Sequence, residues 1–250
     1  MIVKDSSVLI TGGARGIGRH LAERFLADGA RVGVIDRDEA SCAELREASG
    51  GQIQSWACDL TDADAVDVTL RAIFEAGLVP DLLVNNAGII HSEPLVNMLS
   101  RSERVHSREA WRRVMSADLD SVFYVTSRTV DLWMARRHKG TVVSISSISA
   151  HGNPGQSAYS AAKAGVNALT QTWAKELGPL GFRFAAIAPG FLDTPSTRAA
   201  LSEAIITRLQ QQIPLRRLGG VEHIYLSARH ILENDYLNGL ILDVDGGLVL

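Results

Sequence analysis

Cysteine is almost missing from this 250-residue sequence, which holds only Cys42 and Cys58. Two thiols supply neither a disulfide framework nor a multi-cysteine metal site. A surplus of charge of either sign is missing as well, and a net charge of −3 gives no general reason to expect a nucleic-acid partner. No uninterrupted apolar run approaches the roughly 18 residues that a membrane-spanning helix needs. The opening MIVKDSSVLI lacks the apolar stretch of a signal peptide. A cytoplasmic protein with no membrane partner is expected. Pro/Ser-rich linkers, low-complexity stretches and short internal repeats are also missing. With 46% hydrophobic and 21% charged residues, the chain has the balance of a globular protein. Its length suffices for one large core, so a single domain over residues 1–250 is expected.

What is present is a regular alternation. SVLI (7–10), RVGVI (31–35), IQSWA (53–57), DLLV (81–84), TVVSI (141–145), RFAAIA (183–188) and LILDV (240–244) read as strands. Their nearly unbroken apolar character suits parallel strands buried on both faces. Helix-length segments separate them; GIGRHLAERFLADG, for instance, has Gly29 as its stop. Alternating β and α elements predict an α/β fold with a doubly wound parallel sheet.

LITGGARGIG sets Gly12, Gly16 and Gly18, with Arg15 and Ile17 among them, between the first strand and the first helix. Glycines there allow a tight turn and let backbone N–H groups approach a pyrophosphate at the positive helix end. The second strand ends in VIDRD, and its Asp36 falls where an acid accepts hydrogen bonds from an adenosine ribose. A carboxylate there repels a 2′-phosphate and favours NAD(H); Arg15 and Arg37 argue for NADP(H). Asp36 could also simply cap the helix that follows. Further on, YSAAK places Tyr159 and Lys163 one helical turn apart, on one face. Alone, that pair describes a solvated helix surface equally well.

TGGARGIG, NNAG (85–88), Tyr159-x-x-x-Lys163 and the Pro189–Gly190 pair occur in order. With them the chain resembles the short-chain dehydrogenase/reductase family over nearly its whole length. GNPGQSAYSAAKAG, APGFLDT and IPLRRLGG look most like the β-ketoacyl-[acyl carrier protein] reductase branch. The resemblance implies a Rossmann-type sheet of seven parallel strands, a nicotinamide cofactor, and hydride exchange with a ketone or secondary alcohol. It makes Tyr159 the proton donor or acceptor, with Lys163 favouring the phenolate and holding the nicotinamide ribose. A serine after the fifth strand would hydrogen-bond the substrate oxygen. Counting along the strand selects Ser147, and counting back from Tyr159 selects Ser146; Ser147 is preferred because loops absorb deletions more readily than strands. By position, Asp59 and Leu60 match the surroundings of the adenine, and Asn86 and Gly88 those of the adenosine ribose. Leu192 and Thr194, after Pro189 and Gly190, match groups near the carboxamide. Asp59 also reads as a helix cap in DLTDADAV.

Two departures stand out. Asp118, seven residues after Trp111, occupies the place where the family carries an asparagine of a proton relay. A carboxylate there opposes formation of the phenolate. The stretch from Gly88 to Trp111 is longer than in the reductase branch, and five arginines stand against two glutamates between Arg101 and Arg113. Such a basic insert suits an acidic carrier protein or a substrate carboxylate, and equally a solvated loop or a subunit contact. His91, His106 and His151 lack metal-ligand spacing, and no metal site is expected. The leading expectation is a 3-oxoacyl thioester as substrate, on an acyl carrier protein, with a homotetrameric enzyme. An NAD-linked secondary-alcohol dehydrogenase, or a nucleotide-binding subunit with little turnover, are the alternatives.

Overall fold

Consecutive apolar residues are buried only where both faces of a strand are covered. That condition organises the structure, a computed structural model that describes residues 2–100 and 102–248, apart from the side chains of Ser196 and Ala200. Met1, Arg101 of the basic insert, and Val249 and Leu250 of the apolar ending lie outside the described residues. The strands are β1 (Ser7–Thr11), β2 (Arg31–Asp36), β3 (Ile53–Ala57), β4 (Leu82–Asn85), β5 (Thr141–Ile145), β6 (Arg183–Pro189) and β7 (Leu240–Val244). Between them run α1 (Gly16–Ala27), α2 (Glu39–Ala48), α3 (Ala63–Glu75), α4 (Arg108–Met115), α5 (Ser121–Ala135), α6 (Ser157–Leu177), α7 (Pro195–Ala200), α8 (Glu203–Gln212) and α9 (Val221–Glu233). All strand pairs are parallel, in the order β3-β2-β1-β4-β5-β6-β7. This is the doubly wound sheet that the alternation of elements predicts.

Two apolar cores lie on opposite faces of the sheet. Val8, Ile10, Leu82, Val84, Val143 and Ile187 join α1 and α9 through Leu21, Phe25, Ile224 and Ile231. Leu9, Leu83, Val142 and Phe184 turn the other way, onto Leu70 and Phe74 of α3 and Trp133 of α5. Neighbouring residues of one strand thus enter different cores, so the sequence shows no polar alternation. Asp81, expected to open the fourth strand, sits just before it. Its Oδ2 accepts the Ser7 amide at 2.8 Å, which anchors the chain as it enters the sheet. Among the described residues no helix is long and apolar enough to cross a membrane.

Helix ends follow local chemistry. Gly29 adopts φ +89°, its amide bonds to Leu26 O, and the Ala30 amide reaches back to Phe25 O, closing α1. Asp38, Asp62 and Ser107 cap α2, α3 and α4 with their side-chain oxygens. The order β2-β1-β4 sets the reversal of winding between β1 and β4, and ligands bind at the carboxyl ends of strands beside such a point.

Trp133 pins α5 to the sheet. Its indole N–H donates to Pro80 O at 2.8 Å, its ring stacks on Phe182 at 6.0 Å, and a Cβ on Gly140 would stand 2.4 Å from it. Trp133→Ala should lower stability by about 3–5 kcal/mol. The check is the midpoint of urea unfolding, which should fall without a large change in slope.

Candidate active site

The carboxyl ends of the central strands open onto one cleft of about 680 Å³. One half is shaped by backbone. Gly12, at φ +61°, lies so close to the exit of β4 that a Cβ would stand 2.8 Å from the Ala87 Cα. Asn86 braces this turn, its amide donating to Thr11 O at 3.1 Å and Gly12 O at 3.0 Å. A Cβ on Gly18 would stand 2.2 Å from Gly12 O, so Gly18 supports the turn from behind and does not line the cleft. Gly16 differs: nothing lies within 4 Å of where its Cβ would be, and no side chain caps α1. An uncapped helix start beside open space fits a pyrophosphate.

Asp36 ends β2 on the cleft wall, accepting the Ala14 and Asp38 amides at 3.1 Å each. It is not a helix cap, since Asp38 performs that task for α2. Arg15 turns towards Asp38 at 3.3 Å, while Arg37 lies exposed at the cleft. Asp59 is no cap either, because Asp62 caps α3. The amide and hydroxyl of Thr61 bond to Asp59 and hold its carboxyl below the usual range. Asp59, Leu60, Asn86 and Gly88 all line the cleft, as do Arg15, Ile17, Pro189, Gly190, Leu192 and Thr194. These residues fit a nicotinamide dinucleotide laid across the ends of the strands.

The other half is organised around a buried charge. Tyr159 and Lys163 lie on α6, but their face is not solvated: they are 9% and 4% exposed. Lys163 Nζ donates to Ile145 O at 3.0 Å, and it stands 3.4 Å from Asp118 Oδ2 and 5.6 Å from the centre of the Tyr159 ring. Asp118 is wholly buried in a π-helical turn, Ser116–Asp120, between α4 and α5. Its Oδ1 accepts the Ile89 amide at 2.7 Å. Burial pushes the Asp118 carboxyl above the usual range, against the opposing pull of Lys163 and the Ile89 amide. Tyr159 lines the cleft, whereas Lys163 and Asp118 lie behind its wall. Both serines border the cleft, but the Ser146 hydroxyl donates to Lys163 O at 3.3 Å. Ser147 Oγ accepts the Ser149 amide at 3.1 Å, which leaves its hydrogen for another acceptor.

Several side chains at the mouth were not singled out by the sequence. Gln156 accepts from the Ser149 hydroxyl and the Asn153 amide, both at 3.0 Å, and donates to Ser92 at 3.1 Å. Ile89, Ile90, Ile148 and Phe191 add apolar surface. The run GNPGQ ahead of α6 carried the signal, since amides and glycines cluster there next to Tyr159. His91 and His106, from the two ends of the insert, meet around Glu93, whereas His151 stands 3.9 Å from Asp243.

The short chain dehydrogenase family pattern matches residues 6–204. The chain belongs to that family. It is 38% identical to the 3-oxoacyl-[acyl-carrier-protein] reductase of Thermotoga maritima over 100% of both chains. It is 31% identical to the (3R)-3-hydroxyacyl-CoA dehydrogenase of Canis lupus familiaris, over 99% of this chain and 98% of that one. A crystal structure of a short chain dehydrogenase from Bacillus anthracis superposes with a TM-score of 0.86 at 31% identity, covering 99% of this chain and 98% of that one. Membership makes the protein an oxidoreductase of alcohol and ketone groups that uses a nicotinamide cofactor.

Proposed function

We propose that this oxidoreductase reduces a 3-oxoacyl thioester, with Tyr159 as general acid. The observation that carries the reading is that Tyr159, with Lys163 behind it, and Ser147 line one cleft whose mouth is partly apolar. The names of the relatives from Thermotoga maritima and Canis lupus familiaris support the same substrate class. A bound nicotinamide supplies the hydride. Ser147 donates a hydrogen bond to the substrate oxygen and fixes its position against the Tyr159 hydroxyl. As charge develops on that oxygen, Tyr159 gives up its proton, and the Lys163 ammonium stabilises the phenolate left behind. Asp118 holds Lys163 in place, and its negative charge works against that phenolate. Run in reverse, the same groups oxidise a secondary alcohol. Exposed Arg104, Arg108, Arg112 and Arg113 offer positive charge to an acidic acyl carrier.

We assign NAD(H) as the preferred cofactor, because the Asp36 carboxylate would face a 2′-phosphate across the cleft. Titration should give tighter binding of NADH than of NADPH, and Asp36→Ala should narrow or reverse the difference. A wild-type preference for NADPH would reject the assignment.

A homotetramer is proposed as well. The edge strand β7 leaves Leu240, Ile241, Leu242 and Val244 only half-buried in the single chain, and such an edge calls for cover. Light scattering should give four times the 27.0 kDa chain mass; a monomer would refute it.

The catalytic roles are tested by two variants with one accepted alcohol. Tyr159→Phe should abolish turnover while leaving NADH titration nearly unchanged, and retained turnover would sink the mechanism. Asp118→Asn removes a negative charge near the phenolate, so the midpoint of the pH–rate profile for alcohol oxidation should move down. Each unit of that movement gives about tenfold more activity below the midpoint, or about 1.4 kcal/mol. An unchanged profile would remove the Asp118 charge from the mechanism.

A further inference from the structure

Apart from the residues already placed at the cleft, the insert between β4 and α4 gathers two imidazoles and a carboxylate. His91 Nε2 lies 3.0 Å from Glu93 Oε2, and His106 Nδ1 lies 3.6 Å from the same oxygen. One ligand atom from each of the three residues falls within 4.8 Å of the others. A zinc ion held tetrahedrally by such atoms separates them by about 3.3 Å, given bonds of about 2.0–2.1 Å. Small side-chain rotations would close the remaining difference. No other group of three metal-ligating side chains comes this close among the described residues.

The cluster is also built, not merely crowded. Glu93 Oε1 accepts the Ser107 amide at 3.0 Å, which leaves Oε2 turned to both imidazoles. Ligating carboxylates are commonly steadied by such a second bond. His106 is 8% exposed and sits edge-on to the rings of His91 and Trp111; its Nδ1 bonds to Glu93 O at 3.2 Å, while its Nε2 has no hydrogen-bond partner among the described residues. Protein groups therefore answer one nitrogen of this buried ring and leave the lone pair of the other unfilled.

We propose that His91, Glu93 and His106 form a site for a divalent ion of the zinc type, with water completing the coordination. Two imidazoles and a carboxylate suit zinc and its first-row neighbours better than magnesium or calcium. None of the three residues lines the cleft, so the ion has a clasping role and not a reactive one. The Glu93 amide donates to Gly155 O at 2.7 Å, and Gly155 precedes Gln156 and the start of α6. Drawing His91 and His106 onto Glu93 would tie both ends of the insert to the loop that leads to Tyr159. This reading rests on the insert alone and stands whatever the substrate is.

Untagged protein incubated with zinc sulfate and desalted should retain one zinc per chain by elemental analysis. Its melting temperature should rise with zinc concentration, as binding to the folded state alone requires. Cobalt should bind in place of zinc and give the visible absorption of a tetrahedral site. His91→Gln and Glu93→Gln, which keep side-chain size, should each lose the retained zinc, the zinc-dependent rise and the cobalt absorption. Wild-type protein that retains no zinc and shows no zinc-dependent rise leaves a hydrogen-bonded cluster only and overturns the proposal, however the variants fold. Zinc retained equally by wild type and both variants overturns it too.

Discussion

An ammonium with almost no access to water must have its charge answered from within the protein, and the site is arranged around the answer given to Lys163. The Nζ reaches the last carbonyl of β5 and the carboxylate of Asp118, while the Lys163 carbonyl receives the hydroxyl of Ser146. One residue thereby joins α6, β5 and the π-helical turn. Desolvating both charges costs much of what their attraction returns, but removing one partner alone strands the other, at about 3–5 kcal/mol. Asp118 is bound in turn to the Ile89 amide, so the exit of β4 belongs to the same network. Gly88 follows from it: a Cβ there would stand 3.0 Å from Asp118 Oδ2.

The dinucleotide half of the cleft rests on a different principle. No buried ion pair shapes it; close backbone approach does. Gly12, Gly18 and Asn86 pack β1, α1 and the exit of β4 so tightly that the start of α1 is left open at Gly16. Rigidity here comes from sterics and the hydrogen bonds of Asn86, and in the other half from the cost of leaving a charge alone. A cofactor platform and a proton-transfer group are thus held by different means, meeting at the exit of β4. Asp36 and Asp118 have no hydrogen-bond or ion-pair partner in common, so substitutions at the two should act nearly additively.

The sheet was legible because parallel strands buried on two faces leave unbroken apolar runs, and β3, β5 and β7 have the bounds read from IQSWA, TVVSI and LILDV. Helix periodicity set Tyr159 and Lys163 on one face, but only the resemblance to the family joined them to a serine after β5. Ser146 and Ser147 could be ranked only by argument; the hydrogen bond of Ser146 to α6 is a contact between elements that no local rule supplies. Asp36 and Asp59 each looked like a helix cap, and in each case a second aspartate a few residues on, Asp38 or Asp62, is the cap. The approach of His91 to His106 was not legible, because it depends on the insert folding back through the bridge of Val96 and Val105. The π-helical turn was equally hidden, since SADLD has nothing that forbids an ordinary helix.

That turn joins α4 and α5 into a single rod. One end carries exposed Trp111 beside His106, and the other carries Trp133, seated under Pro80 and Phe182. A π-helical turn winds one residue more into its hydrogen-bonded ring than an α-helical turn does. Deleting a single residue from Ser116–Asp120 would restore an ordinary helix and twist the two ends by about 100° relative to each other. Trp133, held by burial, would keep its seat, and Trp111 with Arg112 and Arg113 would swing around the axis, away from His106. The extra residue thus works as a phase shift, setting the angular position of the outer surface against that of the core.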